Sequence, residues 1–288
     1  MIRLGIIDYL NTLPVYHRIL KGALPASYEM VHGTPAYLNR LIASEQLDVS
    51  VVSSFEYAQH AESYYLFPNL SVSADGPVHS IYLFAHQPFE ELEGVVRLPS
   101  TSLTSIHLLQ YLLRRHRVSY VFSKESAYDA ISAELLIGDE AIRVFHEDRF
   151  PYCYDLSERW KDETQLPFVF AVWVVRKAIF HQHRSEVMWL YELLQRSKED
   201  ARRRYASLAK EYYRGIFPNA QECEHYLRNL KYDFSPTYQD GFSHFQASCR
   251  EMGWLSDVAP LQFLPLVSYS DAFDDGGDAH TTPNTECA

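Results

Sequence analysis

Apolar and polar positions change period several times along the chain, and each change predicts an element. Residues 3–8 form a short apolar run ending in polar turn residues, the pattern of a strand buried in a parallel sheet. Thr34-Pro35 supplies a helix N-cap and a first-turn proline, after which Tyr37, Leu38, Leu41 and Ile42 recur on one face. A second buried strand is predicted over 47–52, running into Ser53-Ser54, with a short helix around 55–61. Two further apolar runs, 78–85 and 168–175, read as strands. Between them, Ile106, Leu109, Leu112 and Leu113 make a helical stripe after the hydroxyl-rich run 100–105, and 118–122 and 134–137 read as strands. From about 180 the pattern is helical, over 187–194, 205–213, 222–230 and 241–252, with Ser235-Pro236 as a cap-and-first-turn start for the last.

Strand–helix alternation predicts an α/β protein with largely parallel sheets. The apolar runs at 78–85 and 168–175 bracket the middle segment, which predicts a bilobed chain of two α/β domains joined by two crossing strands. Residues 1–77 and 174–267 form a discontinuous first domain, and 78–173 an inserted second one. The last stretch, 268–288, has five acidic residues, no Lys or Arg and little apolar content, and is expected to be a disordered tail. A bilobed architecture places a ligand cleft between its lobes.

Composition narrows the partners. The 288 residues carry 26 Lys and Arg against 37 Asp and Glu, a formal net charge of −11, which argues against nucleic acid. No stretch approaches the roughly 18 uninterrupted apolar residues of a membrane span. The first eleven residues lack the charged and long apolar regions of a secretory signal. Four cysteines, at 153, 223, 249 and 287, form no C-x-x-C pair, and isolated thiols suit a reducing cytoplasm.

No nucleotide-binding glycine motif, H-E-x-x-H or G-x-S-x-G is found, and His181-x-His183 reads as a solvated helix end rather than a metal site. The informative feature is a distribution. Positions 41–96 contain no Lys or Arg, while small hydroxyls cluster at element ends: Ser53 and Ser54 after a strand, Ser80 near an expected lobe crossing, Thr104 and Ser105 at a helix start. A helix N-terminus offers free N–H groups and about half a positive charge, so it can hold a carboxylate without a basic side chain. These hydroxyls therefore read either as carboxylate ligands or as plain helix caps. Asp139, after the strand at 134–137, reads equally as an N-cap or a pocket acceptor. Asn11 ends the first strand, where open parallel sheets hold ligands, although Asn also suits a turn.

Five segments, in order, resemble one family: Asp8-Tyr-Leu-Asn-Thr-Leu-Pro14, Gly33-Thr-Pro-Ala-Tyr-Leu-Asn39, Leu47-Asp-Val-Ser-Val-Val-Ser-Ser54, Leu136-Ile-Gly-Asp139 and Leu166-Pro-Phe-Val-Phe-Ala-Val-Trp173. They resemble the chorismate dehydratases, which open the futalosine route to menaquinone, and the likeness runs over about residues 3–265. It implies a fold like the type II periplasmic binding proteins and a cofactor-free, metal-free lyase acting on chorismate, a dicarboxylate. Loss of the C4 hydroxyl and the C3 proton as water would give 3-[(1-carboxyvinyl)oxy]benzoate, driven by aromatisation. The family's Asn and Ser at the reacting centre correspond to Asn11 and Ser80, and its mechanism uses the substrate's enolpyruvyl carboxylate as base. Ser53, Ser54, Thr104, Ser105 and Asp139 are expected substrate contacts from the helix-end reasoning instead. Two other readings share the fold. A solute-binding protein would carry an export signal or lipid anchor. The sister enzyme forming 1,4-dihydroxy-6-naphthoate typically has an N-terminal Ser-Pro-Cys-Pro-Asn type motif, absent here.

Overall fold

The computed structural model describes residues 1–122 and 131–266, so the acidic stretch 268–288 lies outside the described residues. The chain begins with β1 (Ile2–Ile7), α1 (Leu13–Arg18), β2 (Tyr28–Gly33), α2 (Pro35–Ala43), β3 (Val49–Ser53), α3 (Ser54–His60) and β4 (Tyr64–Ala74). It continues through β5 (Ile81–Ala85), β6 (Gly94–Leu98), α4 (Leu103–Leu112), β7 (Val118–Phe122), β8 (Ala133–Ile137), α5 (Gly138–His146), β9 (Tyr152–Asp155) and α6 (Leu156–Thr164). It then returns along β10 (Phe168–Arg176) into α7 (Lys177–Gln182), α8 (Arg184–Arg202), α9 (Tyr205–Tyr212), α10 (Ala220–Asn229) and α11 (Pro236–Glu251).

Two five-stranded sheets result, in the orders β2-β1-β3-β10-β4 and β7-β6-β8-β5-β9. Each is mixed rather than parallel throughout. β1 runs parallel to β2 and β3 while β10 is antiparallel to β3 and β4, and β6 is parallel to β7 and β8 while β5 is antiparallel to β8 and β9. The molecule is therefore a bilobed α/β protein. Its chain passes between the sheets at residues 75–80 and 165–167. The expected boundary at 173/174 falls inside β10, whose ladder partners all belong to the first sheet. The unbroken apolarity of 168–175 thus reflects a central strand flanked by β3 and β4.

Local sequence explains most element starts. Thr34 caps α2 through its Oγ1, Ser53 caps α3, Ser102 caps α4, and Asp155 caps α6 by accepting from Ser157 and Glu158 N–H. Ser235 stands at the cap of α11, but its side chain makes no capping bond, leaving Pro236 as the start signal. The long strand β4 escapes a periodicity reading because Pro68-Asn69 interrupts it. Asn69 adopts φ +55° there, and the pairing with β10 shifts register opposite the interruption. β2 escapes it because an edge strand with exposed Glu29, Met30 and His32 shows no apolar run.

One contiguous hydrophobic cluster extends through both lobes, and a smaller separate one is formed by Tyr82, Phe84, Leu136, Ala141 and Val144. Polar contacts also join them. Thr104 Oγ1 on α4 accepts from Phe55 N–H on α3 at 2.9 Å, and Asp139 Oδ1 on α5 accepts from Leu10 N–H at 3.3 Å. At the first crossing, Asp155 Oδ2 accepts from Val78 and His79 N–H at 2.9 and 2.7 Å.

Candidate active site

The C-terminal ends of β1, β3 and β8 point toward one another across the lobe interface, and the helices that follow them begin there. Pro35 at the first turn of α2, Ser53 at the cap of α3, Ser102 and Ser105 at the start of α4, and Gly138 at the start of α5 line one cavity, about 510 Å³ including the space open to solvent. Its apolar walls include Ile81, Val72 and Phe170. Tyr9, Asn11 and Thr12, from the segment after β1, complete it. Among the described residues, no lining residue carries a carboxylate, an imidazole, an amine or a guanidinium. Converging N-termini give the pocket partial positive charge from backbone N–H groups alone.

Asn11 is half-buried, and its Oδ1 is shielded from solvent with no hydrogen-bond partner among the described residues. An acceptor in that state costs free energy until something donates to it. Ser53 Oγ accepts from Glu56 N–H at 3.3 Å and from Asn39 Nδ2 at 3.2 Å. Ser105 Oγ accepts from Ser102 Oγ at 3.1 Å, so the two hydroxyls form a small relay at the mouth of α4.

Of the seven residues expected from sequence, the structure brings Asn11, Ser53 and Ser105 together in this pocket. Ser54 and Thr104 do not line it. Ser54 is fully buried and donates to Val169 O at 2.5 Å, and Thr104 spends its hydroxyl on the α3–α4 link. Asp139 faces the neighbouring cavity behind Tyr9, where burial raises its carboxyl above the ordinary value. Ser80 is buried at the crossing between lobes, next to pocket-lining Ile81, and its carbonyl accepts from Gly138 N–H at 2.7 Å.

Sequence reasoning passed over Tyr9 and Gly138 as site residues, although both lie inside the quoted motifs. Gly138 adopts φ +63°, and a Cβ there would stand 3.2 Å from the Tyr9 ring. Only glycine lets the aromatic ring seat against the start of α5. Burial raises the Tyr9 hydroxyl above its usual range, with Asp139 adding to the effect. The usable signal was a glycine directly between an apolar strand and an acidic helix start.

The fold is that of the periplasmic binding proteins, with a pocket between the lobes. A solved protein from Archaeoglobus fulgidus superposes with TM-score 0.69 at 15% identity, covering 88% of this chain and 98% of its own. The periplasmic aliphatic sulphonate binding protein of Escherichia coli superposes with TM-score 0.64 at 11% identity, covering 99% and 97%. The chain belongs to the menaquinone biosynthesis family, whose model matches residues 2–251. A relative named chorismate dehydratase, from Thermus thermophilus, is 30% identical over 84% of this chain and 93% of its own length.

Proposed function

We propose that this protein is a chorismate dehydratase, a hydro-lyase of the cytoplasm that converts chorismate to 3-[(1-carboxyvinyl)oxy]benzoate and water. Family membership and the named relative support the reaction class. The single observation that carries the mechanism is the lining of the pocket: among the described residues it has hydroxyls, one amide and helix N-termini, and neither a cation nor a side-chain base.

The substrate's carboxylates take the N-termini of α2, α4 and α5, assisted by Ser53, Ser102 and Ser105. The C4 hydroxyl donates to the unpartnered Asn11 Oδ1. Asn11 Nδ2 then faces the oxygen as the C4–O bond breaks. With no carboxylate or imidazole among the described wall residues, the enolpyruvyl carboxylate of the substrate removes the C3 proton. The C3–H electron pair forms the new ring double bond, and hydroxide leaves with that proton as water. Holding the substrate in a near-attack geometry contributes several kcal/mol, to the order expected of positioning. Ser80 acts as an orienting donor beside Ile81, while Ser54 and Thr104 fix the helix ends. Asp139 acts from behind Tyr9 by holding Leu10 N–H and so the Asn11 loop.

The test is incubation of the purified protein with chorismate, following the aromatic enol ether by chromatography and ultraviolet absorbance. Conversion without added metal or nucleotide is expected. Saturable chorismate binding with no conversion would overturn the dehydratase reading in favour of a solute-binding protein.

A further inference from the structure

A second cavity lies on the other side of α5, where α5 of one lobe faces α10 of the other across the crossing at His79. It measures about 1060 Å³ including the space open to solvent, more than the pocket that holds Asn11. Its floor is aromatic. Tyr82 and Phe145 stack at 4.9 Å with planes 8° apart, and Phe217 packs at 5.3 Å from Tyr226. Phe145 remains 44% exposed, unusual for a phenylalanine on a helix with a covered face available.

Its rim is imidazole. His79 and His225 face each other with ring centroids 6.2 Å apart, and among the described residues neither has a carboxylate within ion-pairing distance. Burial, and then the neighbouring His225, hold the His79 imidazole below its usual range, the behaviour of a ring lacking a counter-charge. Glu222 lines the same cavity, but its carboxylate is turned to His146, 3.4 Å away across the lobes, rather than to His79 or His225. His79 itself sits at φ +60°, a left-handed conformation uncommon for a side-chain-bearing residue, and is pinned there by its N–H bond to Asp155. Beneath it the Tyr226 hydroxyl is shielded from solvent and close to Ser80, without a well-formed hydrogen bond.

We propose that this crevice is a second ligand site, which takes a planar aromatic monocarboxylate with its ring on the Tyr82–Phe145 floor and its carboxylate between His79 and His225. Flat aromatic walls select planarity through offset stacking, the ring N–H groups of the two imidazoles are donors for a carboxylate, and a bound carboxylate supplies the counter-charge that the His79 ring lacks. Because the two lobes contribute opposite walls, an occupant clamps them in one relative arrangement. The proposal stands independently of the reaction assigned to the other pocket.

Calorimetric titration tests it with three probes: benzoate, its non-planar counterpart cyclohexanecarboxylate, and neutral benzamide. Each is titrated into the wild type, Phe145→Ala, His225→Gln and Asn11→Ala. Phe145 and His225 are exposed, so both crevice variants retain the fold, which circular dichroism checks. Benzoate is expected to bind saturably and more tightly than either other probe. Its affinity should fall about tenfold in Phe145→Ala and in His225→Gln, and stay unchanged in Asn11→Ala. Absence of saturable benzoate binding overturns the proposal. So does binding that Asn11→Ala abolishes, or binding that both crevice variants leave intact.

Discussion

Replacing Asn11 with alanine separates stability from activity in a way few active-site changes do. In the unliganded protein its Oδ1 is shielded from solvent without a donor. An unsatisfied buried acceptor costs about 1–3 kcal/mol. Truncation removes that cost and gives up little packing, about 0.8 kcal/mol for one methylene-sized group. The net effect is expected between roughly zero and a 2 kcal/mol gain in stability. For a chain of this size the gain corresponds to a rise in Tm of up to about 6 °C. Turnover of chorismate should fall by about 100-fold or more, as when one well-placed polar group is lost from an active site. Paired measurements decide the matter: urea unfolding followed by tryptophan fluorescence, and kcat/KM on chorismate. A loss of more than about 2 kcal/mol would mean that the Asn11 acceptor is in fact satisfied and structural. Unchanged turnover would remove Asn11 from the chemistry altogether.

Three further outcomes follow from other parts of the structure. Gly138→Ala forces a side chain into φ +63° and against Tyr9, and should cost about 1–2 kcal/mol in denaturant unfolding while raising KM; an unaltered KM would separate Tyr9 seating from substrate binding. Asp155→Asn puts an amide among four backbone N–H donors at the lobe crossing, and should destabilise by about 2–4 kcal/mol, with a loss below 1 kcal/mol refuting its role as the staple there. His107 lies between Phe55 and Trp254, and burial lowers its imidazole to about 4. Above its unfolded value near 6.5 it is neutral in both states, so its contribution is fully present there. As pH falls from 6.5 toward 4 the unfolded chain gains a proton that the native ring refuses, and stability drops. His107→Leu should flatten that part of the stability–pH curve, and an equal slope in wild type and variant would contradict the assignment.

The helix starts at Thr34, Ser53 and the 100–105 run were legible in the sequence, because capping is settled within three or four residues. The apolar runs at β1, β3 and β10 were equally legible, because burial on both faces needs no knowledge of the partner strand. The absence of basic side chains from 41–96 already pointed to a site built from hydroxyls and helix ends, and the interlobe pocket has that lining. The family motifs, too, could be read along the chain in order.

What only the tertiary structure decided was which polar groups remain free. Ser53 and Ser54 are adjacent and chemically identical, yet one lines the pocket and the other spends its hydroxyl on Val169, 115 residues away. Thr104 is consumed by Phe55 N–H, 49 residues distant, while Ser105 beside it reaches the cavity. The lobe membership of β10 and the seating of Tyr9 on Gly138 are of the same kind. Local periodicity reports on which way a residue faces its own element. A hydrogen-bond partner, a sheet neighbour or a ring across a lobe interface is chosen by chain closure over tens of residues, and no spacing rule encodes that choice.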